Sequence, residues 1–239
     1  MDADFVIVGG GSAGCVLANR LSQGGRYSVI LIEAGPARRP LMARVPLGVG
    51  RLWNDPRYGW NLRSAPEPEL DGRQLSLPRG RLLGGSGAVN AMNFVRGAEA
   101  DFDAWEAMGL PGWSAQDMAE AFRTVERVDA ALTSAARGAS GPVIVTQTPV
   151  RDALIDQWTD ALAAQGHPRL RDYNATPGPG LGRAQFNIGR GRRSDPRAAY
   201  LDPALRRRNL TVLSDHLALS IAVSEGRARH VVARHKGGL

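Results

Sequence analysis

The hydrophobic pattern predicts a strand, a helix and a second strand within the first 33 residues. Phe5 to Val8 is a continuous apolar run, of the kind found in a parallel strand that is covered on both faces. From Ser12 the apolar residues recur at helical spacing, and Gly24-Gly25 ends the helix. Ser28 to Ile32 is a second apolar run. This order is typical of a βαβ unit, whose crossover we expect to be right-handed.

The rest of the chain contains a loop-rich region and several further elements. Residues 35–74 are irregular and rich in proline. We predict helices at 98–108, from Ser114, at 152–165 and at 198–205, and strands at 142–146, 184–188 and 210–235, with a reversal at Glu225-Gly226. Ser114 and Asp117 predict a capping box. Because the chain stops in strand-like sequence, we expect an unfinished sheet with an exposed edge, and therefore poor solubility.

Amino-acid composition and net charge limit the class of protein but do not determine its function. The 239 residues are 43% hydrophobic, which is enough for one large or two modest domains. A net charge of +7 favours a nucleic-acid partner at first sight. However, every basic residue except Lys236 is arginine, the arginines are spread along the chain, and no nucleic-acid-binding pattern accompanies them. We therefore expect no nucleic-acid partner.

The cysteine content and the length of the apolar runs indicate where in the cell the protein is found. Cys15 is the only cysteine, so internal disulfides and cysteine-based metal sites are excluded, and we expect no bound metal. The first strand pattern begins within three residues of Met1, which leaves no room for a signal peptide. The apolar runs are too short to span a bilayer. We expect a cytoplasmic protein without an integral membrane segment.

A glycine motif lies at the first strand-to-helix turn. Gly9, Gly11 and Gly14 form the pattern G-x-G-x-x-G, in which the first glycine permits a tight turn, the second lets backbone approach a pyrophosphate, and the third lets helix and strand pack closely. Glu33 ends the second strand, 33 − 14 = 19 residues later, where a carboxylate accepts hydrogen bonds from ribose hydroxyls and repels a 2′-phosphate. The motif predicts a dinucleotide site for FAD or NAD; the alternative is a glycine-rich turn beside a surface glutamate.

A second glycine-rich block, from Pro78 to Gly97, distinguishes between FAD and NAD as the predicted cofactor. Its characteristic positions are Arg81, Gly84, Gly85, Ser86, Gly87, Asn90, Phe94 and Gly97, followed by Asp103. The block resembles the first signature of the glucose-methanol-choline (GMC) oxidoreductases, and the likeness extends over essentially the whole chain. We expect a helix to open near Ser86 and to direct its N–H groups at the cofactor. The alternative is a loop that leads into an ordinary helix.

The resemblance implies a flavoprotein of the α/β class. The implied fold is a Rossmann-like FAD/NAD(P)-binding three-layer fold, incomplete, with part of a mixed α+β substrate domain. The FAD-binding domain would comprise 1–140 and 190–239, and 141–189 would be a partial substrate-domain insertion. The implied FAD-binding residues are Gly9, Gly11, Ser12, Ala13, Gly14, Glu33, Ala34, Trp60, Gly80, Gly84, Gly85, Ser86, Asn90, Ala91, Met92, Asn93 and Ala218.

Two of these expectations concern single side chains. Asn90 would hold the flavin through its side-chain amide, whereas Trp60 could equally be a core residue. In some relatives the residue before this asparagine is a histidine that carries a covalent flavin link. Here it is Val89, so we expect FAD to be bound non-covalently.

The resemblance also implies an activity. A GMC oxidoreductase oxidises the CH–OH group of a small-molecule alcohol by hydride transfer to the flavin, and choline dehydrogenases are one plausible subclass. The family's catalytic histidine lies near the carboxyl end of a much longer chain, and none of the four histidines, His167, His216, His230 and His235, matches its position.

We therefore assign no catalytic residue and expect a fragment that lacks the catalytic part. Two alternatives stay open at this point: a non-catalytic flavin-binding or interaction protein, and an NAD-dependent enzyme that uses only the first glycine motif. The alcohol, the electron acceptor and the oligomeric state are not determined by the sequence.

Overall fold

The computed structural model describes residues 1–53, 55–150, 152–176 and 178–237. In chain order its strands and helices are β1 (Phe5–Val8), α1 (Ser12–Leu21), β2 (Val29–Ile32), α2 (Val49–Leu52), β3 (Leu62–Arg63), β4 (Ser76–Leu77), α3 (Glu99–Ala107), α4 (Ala115–Val125), β5 (Glu126–Val128), β6 (Val143–Gln147), α5 (Ala153–Ala164), β7 (Arg169–Leu170), β8 (Leu181–Gly182), β9 (Gln185–Phe186), β10 (Ile188–Gly189), β11 (Arg192–Arg193), α6 (Asp202–Ala204), β12 (Leu210–Leu213), β13 (His216–Ser224) and β14 (Arg227–His235). Within the described residues, no helix combines the length and the apolar character needed to cross a membrane.

The chain divides into two compact units. The first contains Met1–Ala91 and Gly191–Leu239, and the second contains Met92–Arg190. A discontinuous first unit resembles the predicted arrangement, but the packing boundary lies at residue 91 and not at residue 140. Residues 92–140 pack with residues 141–190. The assignment of 1–140 and 190–239 to FAD binding is a statement about function and stays a prediction.

The first unit is built on a parallel sheet with β2 in the middle. β1 pairs with β2 from Phe5↔Val29 to Val8↔Ile32, and β12 pairs with the other edge of β2. The predicted βαβ unit is therefore confirmed. All four residues of β2 are buried, as expected for a central parallel strand.

The expectation of a strand covered on both faces was wrong for β1. Only Ile7 is buried, whereas Phe5, Val6 and Val8 are between 37% and 49% exposed. Val6 and Val8 point to the same face of the strand, and that face is only partly covered. Among the described residues β1 also has a strand neighbour only on the β2 side.

The carboxyl-terminal part of the first unit ends in a long hairpin. β13 and β14 pair antiparallel from His216↔His235 to Ser224↔Arg227. Glu225 and Gly226 connect them with φ of 51° and 72°, the conformation of a tight hairpin turn. The predicted reversal at these two residues is confirmed. Before the hairpin, a π-helical turn at Arg197–Leu201 continues into α6 and packs against α1, which agrees with the short helix predicted at 198–205.

The second unit contains the predicted helices at 98–108, from Ser114 and at 152–165, as α3, α4 and α5. The capping box of α4 is confirmed, since Ser114 Oγ accepts from Asp117 N at 3.2 Å and Asp117 Oδ2 accepts from Ser114 N at 3.3 Å. The strand predicted at 142–146 is β6, which pairs parallel with β5 and antiparallel with β9. The strand predicted at 184–188 is split into β9 and β10.

A buried ionic network stabilises the second unit. Arg137 forms two hydrogen bonds with the Glu126 carboxylate, at 2.8 and 2.9 Å, and one with Asp172 at 2.6 Å. Arg96 Nη2 donates at 2.5 Å to Glu126 Oε1, the oxygen that also accepts from Arg137 Nε. Burial alone lowers the pKa of Arg137, but the Glu126 and Asp172 carboxylates outweigh it, so the pKa lies above its usual value. Because each charge is paired, the network links segments that are distant in sequence without leaving a bare ion.

Candidate cofactor site

The first glycine motif forms the turn between β1 and α1. Gly9 has a φ of +94°, a conformation that side chains rarely adopt, and its N–H donates to Ile32 O on β2 at 2.8 Å. A Cβ on Gly14 would overlap the carbonyl oxygen of Gly9. Both glycines are therefore required by the fold, for the two reasons that the motif predicts.

Gly11 is different, because nothing inside the protein requires a glycine there. Its φ is −74°, and a Cβ would meet only Gly85 Cα, at 4.0 Å. Among the described residues no side chain caps the first turn of α1, and that turn contains no acidic residue. Ser12 and Ala13 are exposed at this end of the helix. The arrangement fits a pyrophosphate, since an open helix N-terminus presents N–H groups and a positive dipole to an anion.

The second glycine block lies directly against this turn. Gly84 N donates to Gly10 O at 2.7 Å, and a Cβ on Gly85 would come within 2.6 Å of Gly11 Cα. Gly80 packs on the other side, where a Cβ would overlap the carbonyl oxygen of Gly85 and where its N–H donates to Ser86 Oγ at 3.1 Å. Two segments that are 84 − 10 = 74 residues apart in sequence are thus joined through their backbones.

The expectation of a helix that opens near Ser86 was wrong. Residues Gly85–Ala88 form one 3-10 turn, after which Val89 leaves helical geometry with φ −126° and ψ −6°. Gly84 and Gly85 both have positive φ, which no α-helix contains, and glycine disfavours continued helix. The block therefore offers a short turn of backbone, and the α-helix that begins at this place in the described part of the chain is α1.

Glu33 links the first glycine turn to the turn that follows β2. It is 6% exposed, its Oε2 accepts from Gly10 N at 2.8 Å, and its Oε1 accepts from Gly35 N at 2.7 Å. The spacing did not predict these two bonds. Each carboxylate oxygen has a second lone pair, so both can still accept from a ribose hydroxyl. That role stays a prediction.

Ala34 and Trp60 line a neighbouring cavity of about 360 Å³ in the first unit. The guanidinium of Arg81 lies over the Trp60 ring, 5.7 Å from its centroid, and forms part of the same wall. Leu217 also lines this cavity, and the half-buried Ala218 is the next residue along β13. A flat aromatic face suits a planar ring.

Sequence reasoning missed several residues of this cavity. They are Arg57, Asp215, Arg234, His235 and Lys236. They lie outside both glycine motifs. The pairing of β13 with β14, continued by the hydrogen bond from Lys236 N to Asp215 O at 2.8 Å, brings four of them together. The rings of His216 and His235 are 4.8 Å apart on this hairpin.

The remaining predicted residues follow the second block. Asn90 and Ala91 are exposed in the first unit, and the boundary between the units comes directly after them. In the second unit, Met92 is 5% exposed with a φ of 65°, its carbonyl accepts from Asn187 N at 3.0 Å, and Asn93 forms a bridge with Phe186. These contacts describe each unit by itself.

Two groups near the site have shifted pKa values. Burial raises the pKa of the Cys15 thiol to about 12, and its Sγ donates to Gly10 O at 3.3 Å, so this cysteine is an unreactive packing residue. Burial, followed by the charge of Arg39, lowers the pKa of Arg193 to about 10. In the part of the chain that the structure describes, no cluster of three or more histidine, cysteine or acidic side chains is placed to hold a metal ion.

Comparison with known proteins identifies the family. The family model described as GMC oxidoreductase matches residues 3–239. The chain belongs to the GMC oxidoreductase family. This GMC chain is 36% identical over 237 residues to an oxygen-dependent choline dehydrogenase of Sinorhizobium fredii, and 37% identical over 232 residues to one of Vibrio vulnificus. The matches cover 99% and 94% of the GMC chain, but only 43% and 40% of the two relatives.

Solved structures give the same result for the fold. Pyridoxine 4-oxidase from Mesorbium loti superposes on the GMC chain with a TM-score of 0.92 at 31% identity, over 99% of this chain and 47% of that one. An FAD-dependent oxidoreductase from Chaetomium thermophilum gives a TM-score of 0.88 at 30% identity, over 99% of this chain and 42% of that one. The predicted family and the Rossmann-like α/β fold are therefore confirmed. The GMC chain spans less than half the length of these proteins.

Proposed function

We propose that this chain binds FAD non-covalently and forms the FAD-binding part of an alcohol oxidoreductase. The observation that carries the proposal is the junction of the two glycine segments, where Gly84 donates to Gly10 and Gly85 lies against Gly11. A nicotinamide enzyme that uses only the first motif would not require the second segment. Val89 supports non-covalent binding, because the valine side chain has no nucleophilic atom that could form a covalent link to a flavin.

Each part of FAD has residues that suit it. The N-terminus of α1 with Gly11, Ser12 and Ala13, and the turn at Gly84, Gly85 and Ser86, would bind the pyrophosphate. Glu33 would accept from the ribose, and Ala34, Trp60 and Ala218 would contact the adenine. Gly80, Asn90 and Ala91 of the first unit would contact the flavin. For Met92 and Asn93, cofactor binding stays the expectation that the family resemblance implies. When bound, the flavin supplies the two-electron redox chemistry, and the chain supplies binding and orientation.

The proposed substrate of the whole protein is a small alcohol that is oxidised at its CH–OH group. Two findings support this substrate class. The chain belongs to the GMC oxidoreductase family, and the matched curated relatives are named as choline dehydrogenases. No residue of this chain is proposed as the base, because none of its histidines stands at the family's catalytic position. A cytoplasmic location remains our prediction, based on its single cysteine.

The direct test of the proposed cofactor is the flavin content of the purified chain. We expect a yellow protein whose flavin is released by acid precipitation, and we expect the released nucleotide to be FAD. Flavin that stays with the precipitated protein would contradict non-covalent binding. A colourless, folded protein that does not take up added FAD, or that releases a nicotinamide nucleotide, would contradict the proposal as a whole.

A further inference from the structure

Arg193 lies in the interior of the first unit although its neighbour in the chain does not. Arg192 is exposed, whereas Arg193 is 3% exposed. The main-chain N–H of Arg193 donates to Arg44 O at 3.0 Å, which anchors β11 to an earlier loop of the same unit. The pair Arg192 and Arg193 therefore offers two arginines of the same local sequence with opposite environments.

The guanidinium of Arg193 holds Asn90. Its Nη1 donates to the main-chain O of Asn90 at 2.7 Å and to the side-chain Oδ1 of Asn90 at 2.7 Å. These two bonds fix both the backbone and the side chain of a residue that is 103 positions away. Because Oδ1 faces Arg193, the amide nitrogen lies on the opposite branch of the side chain, and the orientation of the amide is set.

The positive charge of Arg193 is buried without a counter-ion among the described residues. The nearby carboxylate of Asp195 pairs with Arg39. The Nε and Nη2 atoms of Arg193 are buried and have no hydrogen-bond partner in the described part of the chain. A pKa of about 10 still leaves the side chain protonated at neutral pH.

This arrangement is costly for the fold by itself. A buried cation without a counter-ion loses its hydration and gains no ion pair in return. Apolar side chains of similar size fill such a space without that cost. A residue that lowers stability and at the same time orients another residue is typical of a functional site.

We propose that Arg193 is a positioning residue for the flavin end of the cofactor site, where it orients Asn90 and favours the negative charge of a reduced flavin. The inference rests on the proposed FAD function, since Asn90 is one of the residues assigned to the flavin. Two separable effects follow. The hydrogen bonds of Arg193 contribute to FAD affinity through Asn90, and its charge raises the reduction potential of the bound flavin.

Three variants of the full 239-residue chain test both effects. Arg193→Met removes the charge and the hydrogen bonds, Arg193→Lys keeps the charge but not the planar fork, and Arg192→Met is the matched control on the exposed neighbour. FAD affinity is measured by quenching of flavin fluorescence. The midpoint potential of the bound flavin is measured by equilibration with a reference dye, and stability by thermal unfolding without FAD.

For Arg193→Met we expect an FAD dissociation constant about tenfold higher than that of Arg192→Met, because a charged hydrogen bond is lost. We expect its midpoint potential to be more negative, and its melting temperature without FAD to be no lower. For Arg193→Lys we expect weaker FAD binding with an unchanged potential. A purely structural role would lower the melting temperature and leave the potential of the bound flavin unchanged.

The inference is overturned if Arg193→Met and Arg192→Met have the same FAD affinity and the same midpoint potential. If Arg193→Met does not fold, Arg193→Lys decides the question, and an FAD affinity equal to that of Arg192→Met overturns the inference. Failure of the proposed function is a separate result, because the unsubstituted chain would then bind no FAD at all.

Discussion

Gly9, Gly11 and Gly14 occupy one sequence motif, but only two of them are glycine for the sake of the fold. Gly9 needs its positive φ, and Gly14 must leave room for the Gly9 carbonyl. The sequence predicted these roles because they depend on neighbours within the same turn. A role that depends on a distant contact was not predictable, and the bonds from Gly10 and Gly35 to Glu33 and from Arg193 to Asn90 are examples.

Gly11→Ala separates the cofactor role of this motif from its structural role. A methyl group at position 11 meets only Gly85 Cα at 4.0 Å, so we expect the variant to fold normally. It would project into the space assigned to the pyrophosphate, and we expect FAD binding to weaken about tenfold or more, measured by fluorescence titration. Gly50→Ala is the control, because Gly50 is exposed and a Cβ there has nothing within 4 Å. Equal FAD affinity in the two variants would contradict the assignment.

At the scale of elements, periodicity predicted the helices and the hairpin but not the environment of β1. The capping box of α4 and the turn at Glu225-Gly226 are encoded by adjacent residues, and both are present. The apolar run of β1 indicated a fully buried strand because periodicity does not reveal which strand is at an edge. The expected helix at Ser86 failed for a related reason, since the conformation of Gly84 and Gly85 is set by contact with α1 and its preceding turn.

The exposed edge of β1 predicts self-association of this chain. Val6 and Val8 lie on one face of the strand and are 40% and 49% exposed. Val6→Lys places a charge on this edge, which natural sheets use against edge-to-edge pairing. We expect the chain to show concentration-dependent mass in sedimentation velocity, and we expect Val6→Lys to reduce it. Val95→Lys is the control on an exposed valine of the second unit. A monomeric chain with one sharp thermal transition would contradict this prediction.

At the scale of the whole molecule, the sequence predicted the family more completely than the domain boundaries. The family match extends over residues 3–239, and the residues that indicated it lie close together in sequence. The limits of the compact units depend on which segments pack together, and residues 92–140 pack with the segment that we assigned to the substrate domain. The cavity beside Trp60 was also beyond sequence reasoning, because it joins residues from positions 34 to 236.

The most direct test of the account is hydrogen–deuterium exchange of the whole chain with and without saturating FAD. We predict that FAD slows exchange both in the first glycine turn, at residues 9–14, and in the second glycine block, at residues 80–90. We predict no change in α3, at residues 99–107, which serves as the internal control. Protection of only one of the two glycine segments, or of neither, would contradict the claim that they bind one ligand together.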